Sequence, residues 1–173
     1  MQQSAAAGHA QFSRLFEAHY AQVLAFAGRR VGPDLADEVT AETFLVAWRR
    51  LESVPAEPLP WLYGVARNIV MRQLRASSRH AEMHQLLARE RTALEVDAGE
   101  HDALWRAFEL LSERDREILA LVAWEELSVR DAATVLGVPA SVVSVRLHRA
   151  RRRLERNLRQ PTSSPVPEIP EAI

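Results

Sequence analysis

Apolar residues recur along this chain at the three-and-four spacing of a helix face, with no convincing strand-like alternation. Phe12, Leu15, Phe16, His19, Val23 and Phe26 make one such stripe. Gly32, Pro33 and Asp34 interrupt it as a stop and restart. A second stripe, Leu35, Val39, Phe44, Leu45 and Trp48, predicts a helix from about Asp34 to Leu51. The prolines between Glu52 and Pro60 predict a loop, because they cannot share a helix interior. Pro60 is placed to open a third helix, whose stripe is Trp61, Leu62, Val65, Ala66 and Ile69.

Beyond Arg79 the pattern weakens. "HAEMHQLLARERTALEVDAGEHD" is charged and poor in bulky apolar residues, and reads as a flexible linker with room for one loose helix. Periodicity returns at Leu104, Phe108 and Leu111. The stretches "SERD" and "SVRD" then each place a Ser three residues ahead of an Asp, close to a capping box. The proline-rich end predicts a disordered tail. The expected architecture is all-α: two small helical domains over residues 10–79 and 101–160, joined by a flexible linker at 80–100 and followed by a tail at 161–173.

The second start signal opens a short helix from about Val129 to Leu136. Ala133, Gly137 and Val143 follow at the spacing of a helix-turn-helix. Ala133 is small where the second helix crosses it, Gly137 supplies a positive φ at the helix exit, and Val143 is the first residue the second helix buries. The buried stripe continues through Leu147, Ala150 and Leu154. That leaves Ala140, Ser141, Ser144, Val145 and His148 toward the start and outer face of the second helix, where such helices meet base edges. Arg146, Arg149, Arg151, Arg152, Arg153, Arg156 and Arg159 flank or follow them, placed for salt-sensitive phosphate contact. A solvated basic face is the bland alternative.

Composition removes other chemistries. There is no cysteine, so disulfides, cysteine-ligated zinc and iron–sulfur clusters are excluded. The net charge of −1 is uninformative, although every basic residue is Arg. His80 and His84 are four apart but have no third ligand nearby, so neither metal nor cofactor is expected. No nucleophile elbow, P-loop or dinucleotide-binding motif occurs, so no catalytic residue is expected and the chain reads as a non-enzyme. The amino terminus lacks signal-peptide character, and the longest apolar run, Ile118 to Trp124, is too short to span a bilayer. The expected setting is the cytoplasm, without membrane insertion.

"DLADEVTAETFLVAWRRL" and "PWLYGVARNIVMRQLR" together resemble region 2 of the extracytoplasmic-function (ECF) sigma factors of bacterial RNA polymerase. "LLSERDREILALVAWEELSVRDAATVLGVPASVVSVRLHRARRRL" resembles their region 4. The resemblance implies a factor that brings core RNA polymerase to promoter DNA. It assigns polymerase docking to Asp37, Glu38, Thr40, Glu42 and Thr43. It assigns reading and opening of the −10 element to the Glu52–Pro60 loop and to Trp61, Arg67, Asn68, Arg72 and Arg75. Trp61 and Tyr63 could stack bases or belong to the core. Arg72 departs from the family, which commonly has Asp there. The −35 element falls to Ala140, Ser141, Ser144, Val145, Arg146, His148, Arg149 and Arg152. An anti-sigma factor is a further implied partner. The two promoter elements lie ~70 Å apart, at ~34–36 Å per helical turn, and twenty-odd extended linker residues could span that at ~3.3 Å each. The competing reading is a free-standing helix-turn-helix regulator that binds operator DNA as a dimer.

Overall fold

The computed structural model describes residues 2–84 and 100–159, with side chains over 6–75 and 103–159. The predicted linker lies mostly outside the described residues, and the predicted tail wholly so. Three long helices come first: α1 (Gln2–Val31), α2 (Pro33–Arg49) and α3 (Pro58–His84). Four more follow: α4 (Glu100–Glu109), α5 (Glu113–Ala123), α6 (Val129–Leu136) and α7 (Ala140–Arg159). No strand occurs among the described residues.

Gly32, at φ 78°, breaks the chain between α1 and α2, and Pro33 follows as the first helical residue. α1 buries Leu15, Val23, Phe26 and Ala27 against α2 and α3. Phe26 is fully buried and stacks on Tyr63 of α3, with ring centroids 4.4 Å apart. Burial of such a ring is worth about 1.5–3 kcal/mol. α2 differs from its predicted stripe. The residues it buries are Ala36, Val39, Thr40, Thr43, Phe44 and Ala47, while Leu35, Leu45 and Trp48 are exposed. Thr40 and Thr43 can be buried because each hydroxyl donates to the carbonyl four residues back, Ala36 and Val39, both at 2.7 Å.

The predicted proline loop is shorter than expected. Leu51–Ser53 form a 3-10 turn, and α3 begins at Pro58 with Pro60 inside its first turn. Proline is tolerated there because the first N–H groups of a helix have no partner within it. At its other end α3 runs on to His84, past the expected boundary at Arg79.

In the second module the two start signals act as caps. Ser112 accepts from the Asp115 N–H at 3.2 Å, and Ser128 from the Asp131 N–H at 3.1 Å. The Ser128 hydroxyl also donates to the Asp131 carboxylate at 2.6 Å. Ser128→Ala is expected to cost about 1 kcal/mol of stability, read as a lowered Tm. α6 ends at Gly137, in the left-handed region at φ 65°, and the Val138 N–H returns to the Ala133 carbonyl at 3.2 Å. Val143, Leu147 and Ala150 of α7 are buried, and Leu154 is partly so. Asn157 donates to the Ala107 carbonyl at 3.0 Å, fastening α4 to the end of α7.

The two modules are not held apart. α6 lies along α3 as well as α7. Gly64 makes this possible: a Cβ there would sit 3.6 Å from the Val135 carbonyl oxygen. Two sets of ion pairs flank this seam. Glu125 follows α5 and receives Arg29 and Arg30 from the last turn of α1. Glu117 of α5 receives Arg67 of α3.

Candidate nucleic-acid interface

α7 has three distinct faces. Val143, Leu147, Ala150 and Leu154 point into the core. Arg146, Arg149, Arg153 and Arg156 form a second face and line a groove of about 670 Å³ with Ser112, Arg114 and Asp115 at the start of α5. Ser141, Val145, His148 and Arg152 lie on a third, exposed face, with Ala140 and Ser144 also exposed. This separates base-edge candidates from phosphate candidates. Arg146 and Arg149 belong to the basic groove rather than to the outer face. Arg153 is committed internally, to the buried Asp115 carboxylate.

The first module departs more from expectation. Tyr63 is buried against Phe26 and does not stack bases; its hydroxyl pKa is pushed up to about 12 by burial, with Glu125 adding to the effect. A group protonated in the fold above its ordinary pKa of ~10 stabilises the fold below that value. That stabilisation is lost as pH rises toward about 12. Tyr63→Phe should therefore reduce the fall in Tm across this alkaline window, and an unchanged fall would place its cause elsewhere. Trp61 is partly buried against the core. Asn68 is exposed. The Arg75 side chain donates to the Met71 carbonyl at 3.0 Å.

Arg67 is partly buried and engaged. Its Nε and Nη2 donate to the two carboxylate oxygens of Glu117 at 2.5 and 3.0 Å, and this hydrogen bonding raises its pKa above the ordinary Arg value. Arg72, the residue that departs from the family pattern, pairs with Glu42. The reversal therefore joins α3 to the acidic helix, and Glu42 is partly neutralised where a free carboxylate was expected.

On α2, Glu38 and Leu45 lie opposite the buried stripe, with Asp34, Asp37 and Ala41 beside them. The Asp37 carboxylate accepts from the Tyr20 hydroxyl at 3.3 Å. Thr40 and Thr43, two of the five docking candidates, have no exposed surface and support the helix from inside. Leu35 and Leu45 belong to the apolar stripe of the sequence but not to the core. They are 40% and 45% exposed and give the acidic surface an apolar element. A strict 100° rotation per residue from Ala36, Val39, Thr43 and Ala47 would have found them. No His, Asp or Glu cluster able to hold a metal occurs among the described residues.

The family model of sigma-70 region 2 matches residues 15–80, and that of sigma-70 region 4 matches residues 101–154. The chain is 30% identical over 128 residues to the ECF RNA polymerase sigma factor EcfG of Rhodopseudomonas palustris, covering 70% of each protein. It is 32% identical over 138 residues to a probable RNA polymerase sigma factor, RfaY, of Xanthomonas campestris; the match takes in 72% of this chain and 34% of that protein. Among solved structures, the sigma factor RpoE of Bartonella quintana, in complex with the anti-sigma factor NepR, superposes with a TM-score of 0.64. That match is 24% identical and covers 85% of this chain and 96% of that one.

Proposed function

The chain belongs to the ECF RNA polymerase sigma factors, and on that premise we propose how its two modules divide the work of promoter recognition. Residues 10–79 dock on core RNA polymerase through the exposed side of α2 and engage the −10 element with α3 and the turn before it. Residues 101–160 grip the −35 element with α7, and the intervening stretch tethers the two. The polymerase performs the chemistry. This chain supplies recognition and strand capture, has no active site of its own, and works where polymerase works, in the cytoplasm.

The observation that carries this reading is the three-faced α7. One face is locked in the core, one is a basic groove suited to phosphates, and one is an exposed row of small polar, apolar and basic side chains suited to base edges. On α2, Asp37 and Glu38 sit beside Leu45, a combination suited to a basic partner with an apolar pocket. An anti-sigma factor, such as the one bound to the Bartonella quintana protein, would silence this chain by covering that surface. A free-standing dimeric regulator has no need of the region 2 module, which spans residues 15–80. The deciding experiment is transcription in vitro from candidate promoters with purified core polymerase. The expected result is a promoter-dependent transcript that requires this chain. Its absence, with no co-migration with core, would reject the reading.

A further inference from the structure

The basic groove on α7 is short of acidic partners. α7 carries seven arginines and a single acid, Glu155. Asp115, which also lines the groove, is already taken by Arg153. Among the described residues no carboxylate pairs with Arg146, Arg149 or Arg156. Leu110 lines the same groove and stands 73% exposed, so an apolar side chain accompanies the cations. After Arg159 the sequence reads "QPTSSPVPEIPEAI". It holds two acids, Glu168 and Glu171, no Lys or Arg, and the apolar Val166 and Ile169 among four prolines. Proline fixes φ near −65°, so a proline-rich segment loses less entropy than an ordinary one when it lies extended along a surface.

We infer that residues 160–173 double back along α7 and lay Glu168 and Glu171 among Arg146, Arg149 and Arg156, with Ile169 against Leu110, so that the chain carries its own competitor for DNA phosphates. The competition rests on the functional reading above, whereas the contact itself does not. Reach, charge and tethering support it. Arg149 stands ten residues before the end of α7, about 15 Å back at ~1.5 Å per residue. Glu168 comes nine residues after Arg159, and nine extended residues cover up to ~28 Å at ~3.1 Å each. The segment can therefore turn after α7 and still bring its acids level with the groove. The charges are opposite, and a short tether supplies an effective concentration on the order of mM. Exposed ion pairs are individually weak, so duplex DNA displaces the segment, and the result is a bias of several-fold rather than a block. Arginines already neutralised by the segment also release fewer counterions when DNA arrives, which flattens the salt dependence.

The test uses the full chain, which contains no cysteine. With Leu110→Cys and Ile169→Cys introduced together, a disulfide should form readily at low salt. Its rate should fall at least about fivefold in about 1 M salt, where the Debye length is ~3 Å, and again when Glu168→Gln and Glu171→Gln are added at low salt. A segment held by its tether alone would keep one rate throughout. Without the cysteines, the Gln pair should raise affinity for a fluorescent duplex of mixed sequence about threefold at low salt, because affinity scales with the fraction of chains whose groove is open. It should also steepen the slope of log affinity against log salt by about one unit. In a chain already carrying Arg149→Ala and Arg156→Ala, the Gln pair should change neither quantity. A disulfide rate indifferent to salt and to the Gln pair would overturn the inference, as would duplex affinity unmoved by the Gln pair or moved equally without Arg149 and Arg156. An acid-dependent, salt-sensitive disulfide in a chain that binds no duplex would reject α7 as the DNA-gripping helix and leave the contact standing.

Discussion

Reversing Asp37 and Glu38 together to Arg is expected to weaken binding to core polymerase at least about a hundredfold, measured by co-sedimentation or native gel shift. Breaking a desolvated interfacial charge pair costs about 2–5 kcal/mol, and reversal adds repulsion to the lost attraction. The fold should tolerate the change. Both side chains are exposed, and Asp37 gives up only its 3.3 Å bond from Tyr20, so Tm should shift by no more than about 0.5 kcal/mol equivalent. Leu45→Ala should add to the loss, since it lies beside Glu38 and is among the most exposed large apolar residues of the first module. Retained binding with an intact fold would move the docking surface off this helix. Asp37 and Glu38 are the right pair to reverse because Glu42 is engaged by Arg72, so its loss would disturb α3 as well.

The helix-turn-helix was legible because its signals are local. Ser128 caps α6, Gly137 ends it in the left-handed region, and Val143 is buried six residues on, all within a stretch where no distant residue is needed to set the geometry. The three-helix module was legible in its elements and misleading in its faces. Counting every apolar residue placed Leu35, Leu45 and Trp48 inside, while the residues that fill the stripe include Thr40 and Thr43. Threonine reads as polar in a sequence, yet a helix lets its hydroxyl bond the preceding turn and present a methyl to the core. The role of Arg67 was hidden for another reason. Its partner Glu117 is 50 positions away, and the partners Arg29 and Glu125 are 96 apart. Charge pairs at such separations leave no periodic trace. The packing of α6 on α3 leaves little more, because Gly64 and the small residues of α6 mark a close approach only after the two helices are known to meet.

Replacing Arg146, Arg149 and Arg156 by Ala should lower affinity for promoter duplex about a hundredfold or more at low salt, with little change in which sequence is preferred. The three line one groove with Ser112 and Arg114 at the start of α5, on a face of α7 separate from its exposed row. A side chain that neutralises one phosphate contributes close to one unit to the slope of log affinity against log salt. The triple variant should therefore lose about three units of slope. Ser141, Val145 and His148 should behave in the opposite way. Val145 is half exposed on the outer face, where an Ala substitution shortens an apolar side chain and leaves every arginine in place. Val145→Ala and His148→Ala should change relative affinities among promoter variants by about 1–3 kcal/mol at single positions while the salt slope stays fixed. Arg153→Ala separates a third class. Its guanidinium is paired with the buried Asp115, and stranding that carboxylate should show first in Tm, with DNA affinity falling only as the module loosens. If the triple variant keeps its salt slope and loses sequence preference instead, the groove reads bases and the outer face is idle. The orientation of α7 in the major groove would then be turned by about one face of the helix.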